Sequence, residues 1–157
     1  MNNYKFLKYF LTLSIPFLAY LSFNGYGIIT YAPIIEAFLF IPLLELFMKP
    51  DSDNLSVAEE EMSKNDKFYD IILYLFVPVI FFLIWEFLIS MKETLSTFDT
   101  VGRILSMGII CGGFGINIAH ELGHRSNKIE QFLSKILLIP SLYMHFFIEH
   151  NRGHHKR

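Results

Sequence analysis

The chain has 157 residues and a formal net charge of -2, with 53% hydrophobic and only 18% charged residues. So little charge, at a mean hydropathy of +0.41, excludes an ordinary soluble domain of this length. No basic stripe interleaved with aromatics is present, which excludes nucleic acid as a partner. The single cysteine, Cys111, excludes an internal disulfide and reads as a packing residue.

Residues 6–23 are mainly Phe, Leu, Tyr and Ile, behind Lys5 and Lys8. That pattern resembles a signal peptide, but no Ala-x-Ala site follows and a second apolar run begins at once. A retained first membrane helix is expected, with Pro16 tolerated inside it. Asn24-Gly25-Tyr26-Gly27 reads as a turn. Residues 28–47 then return across the membrane. Glu36 and Glu45 are expected toward the two ends of this run, near headgroups or against neighbouring helices; a functional carboxylate within the membrane is the other reading.

Lys49 to Lys67 is a polar, solvated loop with Asp51, Asp53, Glu59, Glu60, Glu61 and Asp66. Residues 69–90 form the third run, which as a helix reaches roughly 33 Å, enough for a bilayer core. Pro78 lies inside it and Trp85 and Glu86 near one end. The fourth run, 101–119, carries Gly108, Gly112 and Gly115, which are expected to allow close helix approach. It leads directly into His120. Residues 131–148 are apolar too, but Lys135 and Pro140 interrupt them. The expected fold is an all-α polytopic membrane protein, with about four transmembrane helices plus a re-entrant or interfacial helical segment.

With a cytoplasmic N-terminus, the first two runs form a hairpin and the 49–67 loop is cytoplasmic. The next two runs then bring His120 and His124 to the cytoplasmic face. Lys5, Lys8, Lys49, Lys64, Lys67, Arg125 and Lys128 fall inside, and Lys92 and Arg103 near the outside, in keeping with the positive-inside bias. If the fifth run crosses fully, the chain's last residues end on the opposite face. If Pro140 breaks it, they return.

That distinction matters because all six histidines lie in this last part of the chain. His120 and His124 are four apart, so on a helix they share one face about 6 Å apart along the axis and can grip one ion. The string His120-Glu121-Leu122-Gly123-His124 also satisfies the His-Glu-x-x-His pattern of zinc metalloproteases, with the glutamate as general base. An intramembrane zinc protease is therefore one reading. His150 and His154 repeat the spacing, and His155 points in another helical direction. Five imidazoles exceed the three protein ligands usual for catalytic zinc. They fit half or more of a site for two first-row metals, and imidazole suits iron or zinc. His145 reads either as part of this site or as a packed or hydrogen-bonded residue.

His120-Glu121-Leu122-Gly123-His124-Arg125 resembles the first histidine box of the integral-membrane alkane monooxygenases, and Glu149-His150-Asn151-Arg152-Gly153-His154-His155 resembles their second. That family belongs with the membrane fatty acid desaturases. The resemblance implies two non-heme iron ions at the cytoplasmic face of the cell inner membrane. Dioxygen is the co-substrate, and the reaction hydroxylates the terminal carbon of an alkane or similar lipid-like substrate. Rubredoxin or a similar donor supplies electrons. By the same resemblance His120, His124, His150, His154 and His155 are metal ligands, with no catalytic residue beyond the metal centre. Glu121 and Glu149 orient the N–H groups of those ligands. Arg125 and Arg152 either orient carboxylates at the membrane edge or make ordinary surface contacts.

The family pattern continues downstream with a third histidine box and a His-Tyr-Gly motif, which these residues do not include. The expectation is that 1–157 is the N-terminal part of a membrane di-iron hydroxylase domain, truncated and inactive alone. Other readings are a fatty acyl desaturase, a xylene-type hydroxylase, and a non-catalytic membrane fragment.

Overall fold

The computed structural model describes residues 3–47 and 67–146, and among them only helices and turns occur. Helix α1 is Asn3–Asn24 and holds Pro16. It ends where the Asn24 side chain donates to its own helix at the Tyr20 carbonyl, 2.9 Å away. Gly27 follows with φ +68°, a left-handed conformation that glycine adopts without the Cβ penalty. Its N–H donates to Asp99 Oδ1 at 2.6 Å.

Helix α2 is the composite span Gly27–Phe47. It opens as a 3-10 turn, becomes α-helical at Ala32–Ile35, widens to a π turn at Glu36–Phe40, and resumes as α-helix at Ile41–Phe47. Helix α3 is Lys67–Ser90, and α4 is the span Thr97–Gly123, interrupted by a π turn at Ile109–Gly115. Helix α5 is Lys128–Leu138.

Three of these segments are long and apolar enough to cross a membrane: Gly27–Phe47, Asp70–Ser90 and Thr97–Gly123. Within α1 the apolar helix Leu13–Asn24 is shorter. The all-α membrane architecture thus holds. The inner faces of α1, α3, α4 and α5 meet in one cluster containing Phe23, Phe76, Ile80, Leu83, Ile110, Leu122 and Leu137. Large apolar side chains such as Phe38, Trp85 and Ile104 remain exposed, as lipid-facing residues do.

Two turns are tied together at one end of the bundle. Arg103 is fully buried. It donates to the carbonyls of Ser90 at 2.9 Å and Gly25 at 3.0 Å, and pairs with Glu93 at 3.3 Å. Its guanidinium also lies 5.3 Å from the centre of the Tyr26 ring. One side chain on α4 therefore holds the α1–α2 turn against the α3–α4 turn. The start of α4 is fixed by Ser96, whose hydroxyl oxygen accepts from the Asp99 N–H at 3.1 Å while its O–H donates to Asp99 Oδ2 at 2.6 Å.

Two expectations are corrected. Gly108 and Gly112 have nothing within 4 Å of where a Cβ would stand, so they mediate no close approach. At Gly115 a Cβ would be in ordinary contact with the Leu137 carbonyl oxygen at 3.7 Å, whereas Gly102 does permit close approach, with Thr30 Oγ1 at 2.1 Å from the Cβ position. Glu36 lies near the middle of the Gly27–Phe47 span, not toward its end, and is buried against α1, where Ser14 donates to its Oε1. The fifth apolar run agrees with the re-entrant or interfacial segment expected there: α5 has 11 residues, about 16 Å of helix and roughly half a bilayer core. Pro140 stands in the turn that follows Leu138.

Candidate metal centre

The histidine pair owes its position to the last two turns of α4. Ile118, Ala119, Leu122 and Gly123 are buried there, so the helix is clamped on one side. His120 is half-buried, while Glu121 and His124 are exposed. The helix closes with the His124 N–H donating to the His120 carbonyl at 3.2 Å. Four residues of α-helix bring the two rings together on one face. Their centroids are 4.3 Å apart at an interplanar angle of 81°, and Nε2 faces Nε2 at 3.0 Å.

That separation decides what the pair can do. With one ring protonated on Nε2 and the other not, it is a hydrogen bond. It also suits a shared ion, because two imidazole nitrogens each about 2.1 Å from a metal and at right angles to it are about 3.0 Å apart. The donor set, two neutral nitrogens converging at the edge of an apolar bundle, therefore fits two corners of one coordination sphere. Among the described residues no third His, Cys, Asp or Glu joins the pair to make a larger group. Glu149, His150, Arg152, His154 and His155 lie outside the described residues.

Helix α5 determines what surrounds the pair. Asn127 caps it, its Oδ1 accepting from the Ile129 N–H at 2.9 Å. The helix then runs antiparallel to α4. Ser134 Oγ donates to the Ala119 carbonyl, and the Leu137 carbonyl lies against Gly115. After Leu138 the chain turns, with Leu142 at φ 53° and the Tyr143 N–H returning to the Leu138 carbonyl at 3.1 Å. The chain then climbs back until the Phe146 ring stands 5.9 Å from the His120 ring. His145 is exposed and packs edge-on against Tyr143, 4.5 Å between centroids. The side chain of this segment that faces His120 is Phe146.

One group of residues beside the pair carries no local sequence signal. Arg125 directly follows His124 and forms a 2.6 Å ion pair with Asp70, in the first turn of α3. It lies 3.4 Å from Glu130 on α5, and Tyr74 donates to that same Glu130 oxygen. Gln131 also donates to the Arg125 carbonyl at 2.9 Å. The Asp70 carboxylate holds the Arg125 guanidinium above its ordinary value. Arg125 is thus a carboxylate-bound tether that fixes the end of α4 to α3 and α5. Its partners sit 55 positions upstream and five downstream, so neither spacing nor periodicity points to them.

No family model matches the chain. Curated relatives do. The chain is 32% identical over 135 residues to the alkane 1-monooxygenase of Pseudomonas putida, covering 85% of this chain and 33% of that protein. It is 35% identical over 121 residues to the alkane 1-monooxygenase of Acinetobacter baylyi, covering 76% and 29%. A third relative, alkane 1-monooxygenase 2 of Alcanivorax borkumensis, is 28% identical over 99% of this chain and 42% of its own length. The chain spans about a third of the length of the first two. The match runs through the apolar helices as well as the histidine turn, and the chain is an alkane 1-monooxygenase-like membrane protein.

Proposed function

We propose that the protein acts in the hydroxylation of the terminal carbon of alkanes, as a membrane di-iron monooxygenase. The observation that carries this is the 3.0 Å approach of His120 and His124 on a chain similar to enzymes named for that reaction. His120 and His124 would hold metal through Nε2. His150, His154 and His155 would add ligands. Phe146 stands against His120, and His150 is only four residues on, a stretch that extends no farther than about 14 Å. Residues beyond these 157 would complete the set, so the chain alone is proposed to be inactive.

Bound iron would supply the reductive activation of dioxygen needed to break a strong C–H bond. The overall balance is one alkane, one dioxygen, two electrons and two protons giving one primary alcohol and one water. The electrons come from rubredoxin or a similar small redox protein. The chain's own residues position the chemistry. The α4 end holds the two imidazoles, Phe146 shields His120 from water on one side, and Arg125 fixes the turn through Asp70 and Glu130. Glu121 and Glu149 would orient ligand N–H groups. The substrate arrives from the bilayer hydrocarbon between helices, at a cytoplasmic site of the inner membrane.

Membranes bearing the full-length protein, given reduced rubredoxin and dioxygen, are expected to convert an n-alkane to its 1-alkanol. A double bond formed in a fatty acyl substrate, with no alkanol, would establish the desaturase reading instead. Peptide cleavage dependent on a single zinc would establish the protease reading.

A further inference from the structure

A second feature lies on the α1–α2 side of the bundle. Glu36 is only 6% exposed, and Ser14 donates to its Oε1. Its other oxygen, Oε2, is buried with no hydrogen-bond partner. The same residue opens the π turn of α2 and lines a cavity of about 350 Å³. Every other lining side chain is apolar, among them Leu18 of α1 and Ile28, Ile29, Ile35 and Phe40 of α2. A buried polar atom without a partner costs about 1–3 kcal/mol, and ionisable groups inside a membrane are retained where they do something. π turns also recur at functional positions.

The chemistry of the wall limits the occupant. A metal ion would find no second acceptor among the lining side chains. An n-alkane would fill the apolar space yet leave Oε2 unpaired. A hydrocarbon chain carrying one uncharged O–H donor meets both demands. The last bond of the Glu36 side chain is a soft torsion, and a turn about it moves both carboxylate oxygens and can present one to the cavity.

We infer that this cavity binds a single-chain primary alcohol, its hydroxyl donating to Glu36 Oε2 and its tail lying along Leu18, Ile29 and Phe40. The site prefers the alcohol to the alkane of equal length because only the alcohol pairs the buried oxygen. The binding does not depend on the proposed hydroxylation. If that reaction is correct, the ligand is its product, and the cavity draws the product away from the histidines.

The test is photolabelling of the protein in phosphatidylcholine nanodiscs with two diazirine probes of equal chain length, one ending in a hydroxyl and one in a methyl. Mass spectrometry then maps the adducts. The hydroxyl probe is expected to label the Leu18 and Ile28–Phe40 segments about tenfold more than the methyl probe. Unlabelled 1-alkanol is expected to compete, and monoacylglycerol, a lipid source of hydroxyl, is not. Glu36→Leu should bring the two probes level, while Glu36→Gln, whose amide oxygen still accepts, should keep the preference. Equal labelling of wild type by both probes overturns the inference without need of a variant, as does competition by monoacylglycerol alone. Because labelling requires no turnover, it separates this site from the reaction: preference without alkane hydroxylation leaves the site and removes the reaction.

Discussion

Nε2 of His120 and Nε2 of His124 lie 3.0 Å apart, one helical turn separating their backbones. The pair is presented at the end of α4, and His124 is exposed, so removing it disturbs little packing. His124→Ala is expected to leave the helical content unchanged and to lower metal affinity by about a hundredfold, the upper end of what loss of a supporting partner alone causes. Metal analysis of the purified protein beside far-ultraviolet circular dichroism checks both parts. Undiminished metal in the variant would remove His124 from the centre.

Arg125 and Asp70 are each about one-third exposed or less, so their ion pair is partly screened. Asp70→Asn is expected to cost no more than about 1 kcal/mol of stability. Glu130→Ala should cost more, about 1–3 kcal/mol, since it leaves Tyr74 and Arg125 without a buried acceptor. The pH dependence follows from the sign of the Arg125 shift. Its value is raised in the folded protein, so its contribution is full below the unfolded value and lost only as pH rises through the folded one. Thermal unfolding of wild type and Arg125→Gln should therefore differ by a constant amount from pH 6 to pH 9.

Gly102 and Gly108 lie six residues apart on α4 and predict opposite outcomes. A Cβ on Gly102 would meet Thr30 Oγ1 at 2.1 Å and the Tyr31 ring at 2.7 Å. Gly102→Ala is expected to destabilise by about 1–3 kcal/mol, because α2 must move away. Gly108→Ala meets nothing and should be neutral or slightly stabilising. Thermal stability in detergent distinguishes them, and a neutral Gly102→Ala would contradict the close α2–α4 packing.

Arg103 holds two turns through backbone carbonyls, which no apolar residue replaces. Arg103→Met is expected to cost on the order of 3 kcal/mol by leaving the Gly25 and Ser90 carbonyls unpaired. Glu93, half-exposed, contributes little to that figure, and Glu93→Gln should lie near wild type. Equal losses in the two variants would shift the weight from the carbonyls to the ion pair.

The apolar runs were legible because a membrane leaves long uninterrupted stretches, and the four-residue histidine spacing because a helix has one dominant period. Pro140 and Lys135 correctly marked the fifth run as one that does not cross. What stayed hidden depends on contacts between distant positions. Glu36 reads as lying toward an end of the 28–47 run, yet it stands near the middle of the Gly27–Phe47 span and is buried where Ser14 of another helix donates to it. Gly108 and Gly112 have the composition of a packing seam but face outward, while Gly102, outside that pattern, receives Thr30. Arg103 read as a charge near the outer surface, yet backbone carbonyls of two turns bury it. The Asp70–Arg125 pair joins residues 55 positions apart, beyond any local rule. Residues 149–155, half of the histidine pattern, lie outside the described structure and stand on sequence alone.

The most direct test of the central claim is the fate of isotopically labelled dioxygen. Full-length protein in membranes, with reduced rubredoxin and an n-alkane, should place one labelled oxygen atom in the 1-alkanol, and His120→Ala should abolish that product. Labelled alkanol formed undiminished by His120→Ala, or alkanol whose oxygen comes from water, would contradict it.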